Sequence, residues 1–423
     1  MNEKLEEIIE YTKVKFNLDN YYLKRHHIFR EKSSLHRTSY LLSMEWFPNE
    51  TDYTDSDYNP SGTAVIDIDI HTNSVKRAIF AQDVSYASQA EFLEPTDDNE
   101  KIIEWVEEMT GLEFGRQFLL SYEAEGAVSF QAAVDNITVY PVGTIEVEFN
   151  ENGQLTLFSI DGVFPHEDQI KWEPFSLTPD KVEPFAQAQS RLLEVPLEEE
   201  EKWFPVYAIS TAFITNNDKR IISFEEVEKQ KSFVKKDVVL EWEHPVDEAF
   251  IPAETDLSTE VSIEEAMADT DHPDKLPLTE ADQEEAVAET RSFLQRVFPE
   301  DSGKWSLKEL RYENGYVYAE LQPVLRDNRV IVRKLQVILD ADTYKALNYI
   351  DTIELLNMFQ HFERADEPTT KQGQAFDKLR DLLEVTPVYV YDKDQGSYIL
   401  CGKIDCAHGV DAVTGEVILL DEL

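Results

Sequence analysis

The chain has 423 residues, too many for one ordinary core and enough for about two to four units of roughly 100–150 residues each. Apolar residues make up 42% and aromatic residues 11%, the composition of a folded chain. With 85 Asp and Glu against 39 Lys and Arg the formal net charge is -46, which excludes nucleic acid and anionic membrane as partners, because both require a basic docking surface. The acidity fits solubility in a salty or alkaline habitat, or attraction of a basic partner.

Taken in chain order, "EKLEEIIEYTKVKF" places Leu5, Ile8, Ile9 and Phe16 on one helical face. No basic segment leads into an apolar one there, and nowhere does an apolar run approach the roughly 18 residues of a membrane span. Together with only 2 cysteines, this predicts a cytoplasmic protein without a disulfide framework. Next, "TAVIDIDI" and "VKRAIF" alternate on either side of "DIHTNSV" (69–75), the pattern of a β-hairpin. A second helix, "NEKIIEWVEEMTG", carries Ile102, Ile103, Val106 and Met109 before Gly111 as a stop. The hairpin "TIEVEFNENGQLTLFSIDG" then turns on Asn152-Gly153.

A third helix, "LTPDKVEPFAQAQSRLL", opens with Thr178 as N-cap and Pro179 at its first position, and Pro184 is expected to shorten or bend it. A hairpin turning near Asn217 follows. Residues 246–278 are rich in Asp, Glu and Pro and read as an acidic linker with a boundary near residue 270, within which "SIEEAMAD" can form a short helix. The strongest helix, "TEADQEEAVAETRSFLQRVFP", spaces Val287, Thr290, Phe293, Leu294, Val297 and Phe298 by three and four and ends at Pro299. Two further hairpins turn on "DADTYKA" (340–346) and "DAVTGEV" (411–417).

Three of these turns place Asp and Thr three apart: Asp69 and Thr72, Asp340 and Thr343, Asp411 and Thr414. The residue after Thr is Asn73, Tyr344 or Gly415; Asn and Gly tolerate a positive φ, and Tyr344 fits that position less well. The predicted fold is therefore α+β, with tandem repeats of a helix followed by an antiparallel β-meander, the helix lying on one face of the sheet. The expected units are residues 1–92, 93–175 and 176–245, the linker 246–278, and a C-terminal region 279–423 holding units four and five.

A helix followed by strands that close on "VDAVTGEVILL" resembles the PepSY type of module. The tandem arrangement, with "ITVYPVGTIEVEFNENGQLTLFSID" and "YILCGKIDCAHGVDAVTGEV" as its most telling parts, is similar to the YcdB/YcdC-type repeat proteins of spore-forming bacteria. The resemblance implies no catalytic residue; PepSY modules in general are associated with propeptides and with inhibition or regulation of peptidases.

The reactive side chains give no site. Cys401, Cys406 and His408 fall in one strand pair, short of the four ligands at paired spacings that zinc needs, and read as buried thiols in a sheet. His26, His27 and His361 stand without an orienting partner. Asp55, Asp57 and Asn59 begin like a calcium loop, but Pro60 stands where Gly is required and Ile66 where Glu is required; Asp52 completes an acidic, solvated loop. The acid runs "LEEEEKW" and "ADTDHPDK" read as hydrated surface. No catalytic, metal or cofactor residue is nominated. The expected function is that of a non-enzymatic repeat protein binding a protein or peptide, with sheet edges offering backbone groups for strand addition. The alternatives are a peptidase modulator and a hydrolase built from carboxylates.

Overall fold

The computed structural model describes residues 2–32, 38–49, 59–87, 99–228, 233–246, 248–255, 258–269, 278–325 and 327–423. Helix α1 (Glu3–Lys15) precedes strands β1 (Tyr21–Lys32), β2 (Thr38–Pro48), β3 (Ala64–Asp69) and β4 (Val75–Phe80). Helix α2 (Glu100–Thr110) precedes β5 (Phe118–Ala124), β6 (Ala127–Val134), β7 (Ile137–Tyr140), β8 (Thr144–Phe149) and β9 (Leu155–Asp161). Helix α3 (Pro179–Gln189) leads into β10 (Ser190–Leu197), β11 (Lys202–Ile209), β12 (Ala212–Thr215) and β13 (Ile221–Ser223), then α4 (Phe224–Glu228), β14 (Phe233–Leu240) and α5 (Ile263–Met267). Helix α6 (Glu280–Val297) precedes β15 (Trp305–Glu313), β16 (Tyr316–Pro323), β17 (Leu335–Asp340) and β18 (Ala346–Asp351). The chain closes with α7 (Ile353–Asn357), α8 (Gln372–Leu379), β19 (Glu384–Asp392), β20 (Ser397–Asp405), β21 (His408–Asp411) and β22 (Val417–Leu419). This is an α+β protein of predominantly antiparallel sheets.

The chain divides into two compact units, each drawn from three separate stretches. The first comprises Met1–Pro174, Thr259–His272 and Pro387–Cys401. Its strands run in the order β1-β2-β3-β4-β9-β8-β6, with β5 on β6. One face carries the apolar rows Tyr40, Leu42, Met44 and Ile66, Ile68, against which α1 and α2 set Leu5, Ile8, Ile102 and Val106. The helices are locally encoded: Asn2 caps α1 by accepting from the Lys4 amide at 2.9 Å, and Gly111, with φ of 71°, ends α2. At one end β7 pairs parallel with β19 (Val139 opposite Tyr389), and a smaller apolar cluster gathers Ala132, Val139, Tyr389 and Tyr398.

The second unit comprises Phe175–Ser258, Pro273–Thr386 and Gly402–Leu423. It holds the antiparallel meander β14-β15-β16-β17-β18 and the sheet β10-β11-β21-β22. Helix α6 lies on the meander, its buried Ala286, Thr290, Phe293 and Leu294 facing Leu307, Val317, Ala319, Leu321 and Val337. Its start is a capping box in which Asp282 accepts from the Thr279 amide at 2.7 Å and Thr279 Oγ1 accepts from the Asp282 amide at 3.3 Å. Helices α3 and α8 supply Val182, Ala186, Phe376 and Leu379 to a cluster with Tyr207, Val410 and Ala412. Helix α3 continues through Pro184 to Gln189. The linker boundary expected near residue 270 lies outside the described residues.

The three Asp-x-x-Thr turns share one geometry. The Asp carboxylate accepts from the Thr amide at 2.8 Å in residues 69–72, 2.8 Å in 340–343 and 3.2 Å in 411–414, and from the Thr hydroxyl at 2.9, 2.7 and 2.6 Å. The following residue is left-handed each time: Asn73 at φ 56°, Tyr344 at 55° and Gly415 at 74°. Each turn meets a helix. Lys4 of α1 donates to Asn73 at 3.1 Å, Tyr344 donates to Asp282 of α6, and Lys378 of α8 donates to the Gly415 carbonyl. That contact accounts for Tyr344. Burial and the Asp282 carboxylate push its phenol up to about 12, and the ring packs on the meander core, offsetting a left-handed backbone that Tyr rarely adopts.

Candidate functional site

Among the described residues, no three of the His, Cys, Asp and Glu side chains singled out in the sequence gather at one point. Cys401 and Cys406 are buried free thiols. Burial pushes the Cys406 thiol up, and its Sγ donates to the His408 carbonyl at 3.4 Å, so it is held away from the reactive thiolate. His27 packs against Phe29 with ring centroids 6.0 Å apart, and His361 lies 3.8 Å from Glu201. Asp52, Asp55 and Asp57 lie outside the described residues, while Asn59 donates to Glu45 at 3.1 Å. Among the described residues no group of three His, Cys, Asp or Glu is placed to hold a metal ion.

Two polar surfaces arise instead from strand alternation. In the second unit the side of the meander away from α6 forms an open cleft of about 590 Å³ lined by Lys235, Lys236, Lys308, Lys334, Glu309 and Glu320, among others. Register sets Lys235 opposite Glu309, and Glu309 opposite Glu320. Two carboxylates side by side suit acid–base chemistry when their environments drive their protonation apart. Here Gln322 donates to Glu320 at 3.0 Å and Lys334 lies 3.8 Å from it, so its charge is matched by fixed partners.

In the first unit, pairing aligns a polar row across the sheet: His27, Ser43, Asp67, Arg77, Ser159, Glu146 and Ser129 stand directly opposite one another in turn. Asp67 is buried at 5% exposure, and its Oδ1 has no hydrogen-bond partner. Arg77 approaches Asp67 Oδ2 only to 3.8 Å while also lying 3.7 Å from Asp161. Burial therefore pushes the Asp67 carboxyl above its usual range, against the pull of the Ser43 hydroxyl, Arg77 and His27. An acid whose folded pKa is raised destabilises the fold above that pKa, and the penalty disappears as pH falls toward the unfolded value. Asp67→Asn is expected to stabilise the protein by about 1 kcal/mol at pH 7 and by nothing below about pH 4. Denaturant titrations of both proteins at the two pH values check this.

The same sheet has a terminal strand, β1, at which a distant segment adds on. The Arg30 amide donates to the Thr259 carbonyl and the Val261 amide to the Ile28 carbonyl, both at 2.8 Å, around an antiparallel bridge between Phe29 and Glu260. Beyond it the chain turns into α5, begun by a capping box between Ser262 and Glu265. Ala266 is buried in the first unit's core, with Val261 and Ile263 partly buried against it. His71, from the Asp69 turn, donates through Nε2 to the Ala266 carbonyl at 3.0 Å.

This is an α+β protein of predominantly antiparallel sheets, one of whose edges, β1, is capped by a segment of the same chain. No protein-family model matches the chain, and no curated protein matches it. Among solved structures, the Bacillus megaterium YpeB C-terminal domain is similar at a TM-score of 0.27 and 8% identity, covering 83% of this chain and 97% of that domain. So low a score fixes neither fold nor function. Among the described residues no helix is long and apolar enough to cross a membrane.

Proposed function

We propose that the chain is a non-enzymatic, YcdB/YcdC-type and PepSY-like tandem α+β protein that binds a protein or peptide through its sheets. The observation that carries this reading is the β1 edge, whose backbone accepts an extended segment through two ladder hydrogen bonds. The three matching turns, each resting on a helix, support the tandem arrangement. The partnered Glu320 favours binding over hydrolysis in the second unit's cleft.

Selection of the purified chain against a peptide library, followed by fluorescence anisotropy of the selected peptides, tests the reading. Saturable binding in the micromolar range is expected. Absence of any saturable binder, together with turnover of an ester, glycoside or peptide substrate, would overturn it in favour of the hydrolase. Titration into peptidase assays adds a separate readout, since a modulator inhibits stoichiometrically.

A further inference from the structure

The segment at the β1 edge has a chemistry of its own. Residues 259–269 carry Glu260, Glu264, Glu265 and Asp269 around the apolar Val261, Ile263 and Ala266. Strand β1 is the reverse: against the single acid Glu31 it carries Lys24, Arg25, His26, His27, Arg30 and Lys32, of which Arg25 pairs with Glu45 of β2 at 2.8 Å, a basic run in a chain of net charge -46. The two runs are opposite in charge; Glu265, held low chiefly by hydrogen bonds from Ser262, also feels the Arg30 charge. The attachment is also slight. Two ladder bonds, the His71 hydrogen bond to the Ala266 carbonyl, a five-residue helix and the apolar contacts of Val261, Ile263 and Ala266 hold a stretch whose neighbours on the N-terminal side, through Ser258, belong to the other unit. Short, weakly held elements are those that open locally without global unfolding.

We propose that the β1 edge of the first unit is the docking site for an acidic, extended peptide partner, and that residues 259–269 hold this site in cis until such a partner displaces them. The partner has the make of the cis segment: apolar residues at alternate positions, flanked by carboxylates, running into a Ser-capped turn of helix. This deepens the peptide-binding reading and rests on it. It also reverses the expectation that so acidic a protein attracts a basic partner, because the β1 edge is basic.

Phe29 and Glu260 form a non-hydrogen-bonded antiparallel pair. At such pairs Cα atoms lie about 4.5 Å apart, within disulfide range. In the double variant Phe29→Cys, Glu260→Cys, oxidation locks the segment in place, and Cys401 and Cys406 are buried away from the reaction. The probe is a labelled synthetic peptide of sequence STEVSIEEAMAD, with a control in which its glutamates are lysines. The reduced protein is expected to bind the probe at least about tenfold more tightly than the oxidised protein, and to ignore the control. A tethered segment competes at an effective concentration of about 1 mM, so the probe is used up to that level.

A second measurement uses the unsubstituted chain. With the probe at about 1 mM, hydrogen exchange at the Val261 amide should accelerate, because its bond to Ile28 is lost, whereas the Arg30 amide stays protected by the incoming carbonyl. Equal probe binding by the oxidised and reduced forms, or unchanged exchange at Val261, would overturn the inference. So would dimers formed by exchange of the segment between two copies. Library peptides that bind both forms alike would sink this inference and leave the broader reading standing; a library without binders removes the broader reading itself.

Discussion

Phe293→Ala is expected to destabilise the second unit by about 3–5 kcal/mol, the range for removing a fully buried aromatic ring without collapse of its site. Phe293 is the centre of an aromatic cluster on α6. Phe250 meets it edge-on at 4.9 Å, Tyr349 lies at 5.2 Å and Phe298 at 6.4 Å. These neighbours come from the linker side, the last strand of the meander and the end of the helix, so no single backbone shift can close the cavity. A denaturant titration read through near-ultraviolet circular dichroism should show the loss, with accelerated amide exchange across β15 to β18. Phe293→Leu keeps most of the volume and should cost about 1 kcal/mol. Val14→Ala, at a position 67% exposed on α1, should change stability by less than about 0.5 kcal/mol. Equal effects at Phe293 and Val14 would mean that α6 is not anchored through this cluster.

The sequence made α6 legible because its apolar residues repeat at helical spacing and its cap is local; Thr290, Phe293 and Leu294 are buried as that spacing implies. Hairpin turns were legible for the same reason, since alternation and turn residues lie within a few positions of one another. Several turns were missed, among them the two-residue hairpin at Asn314-Gly315; residues 392–396 adopt the Asp-led form, with Asp392 accepting from the Asp394 and Gln395 amides and Gly396 left-handed at φ 63°. Gln395 stands there in place of Thr, outside the pattern used to find the others.

Strand order was not legible. The parallel pairing of β7 with β19 joins segments far apart in the chain, and no local pattern encodes a non-local pairing. The polar surfaces were hidden in the same way. "AVIDIDI" shows that Asp67 and Asp69 share a face, but only the strands on either side bury Asp67 among Ser43, Arg77 and Ser159. The segment 259–269 reads as acidic linker with a short helix at "SIEEAMAD", which the structure forms as α5; its pairing with β1 is non-local and carries no local pattern.

Asp69→Ala should destabilise the first unit by about 2–3 kcal/mol, the largest effect expected at any of the three related turns. Asp69 is buried at 7% exposure, and its Oδ1 accepts from the His71 amide at 3.0 Å, the Thr72 amide at 2.8 Å and the Thr72 hydroxyl at 2.9 Å. Alanine strands these donors and releases the loop that carries His71 to Ala266. Asp340→Ala and Asp411→Ala, in more solvated turns, should cost about 1 kcal/mol each. Thermal or denaturant unfolding of the three variants gives the order.

The pH dependence separates this account from one resting on backbone shape alone. Hydrogen bonds from the Thr343 hydroxyl and then its amide hold the Asp340 carboxyl below its usual range. At Asp411 burial pulls upward, but the Thr414 hydroxyl, the Val413 and Thr414 amides and Lys202 outweigh it, and the carboxyl again lies low. A carboxyl depressed in the fold contributes stability that is present above its unfolded pKa, near 3.9, and is lost as pH falls through the folded value. The gap between the parent protein and Asp340→Ala or Asp411→Ala should therefore be constant from about pH 7 to pH 5 and shrink below about pH 4. Asn in place of Asp keeps an accepting oxygen without the titration, so Asp340→Asn should lose less at neutral pH, and its gap to the parent should narrow in acid by the same amount as that of Asp340→Ala, because the titrating carboxyl is the parent's. A gap that does not narrow in acid would mean that the left-handed residue, rather than the carboxylate, sets the turn.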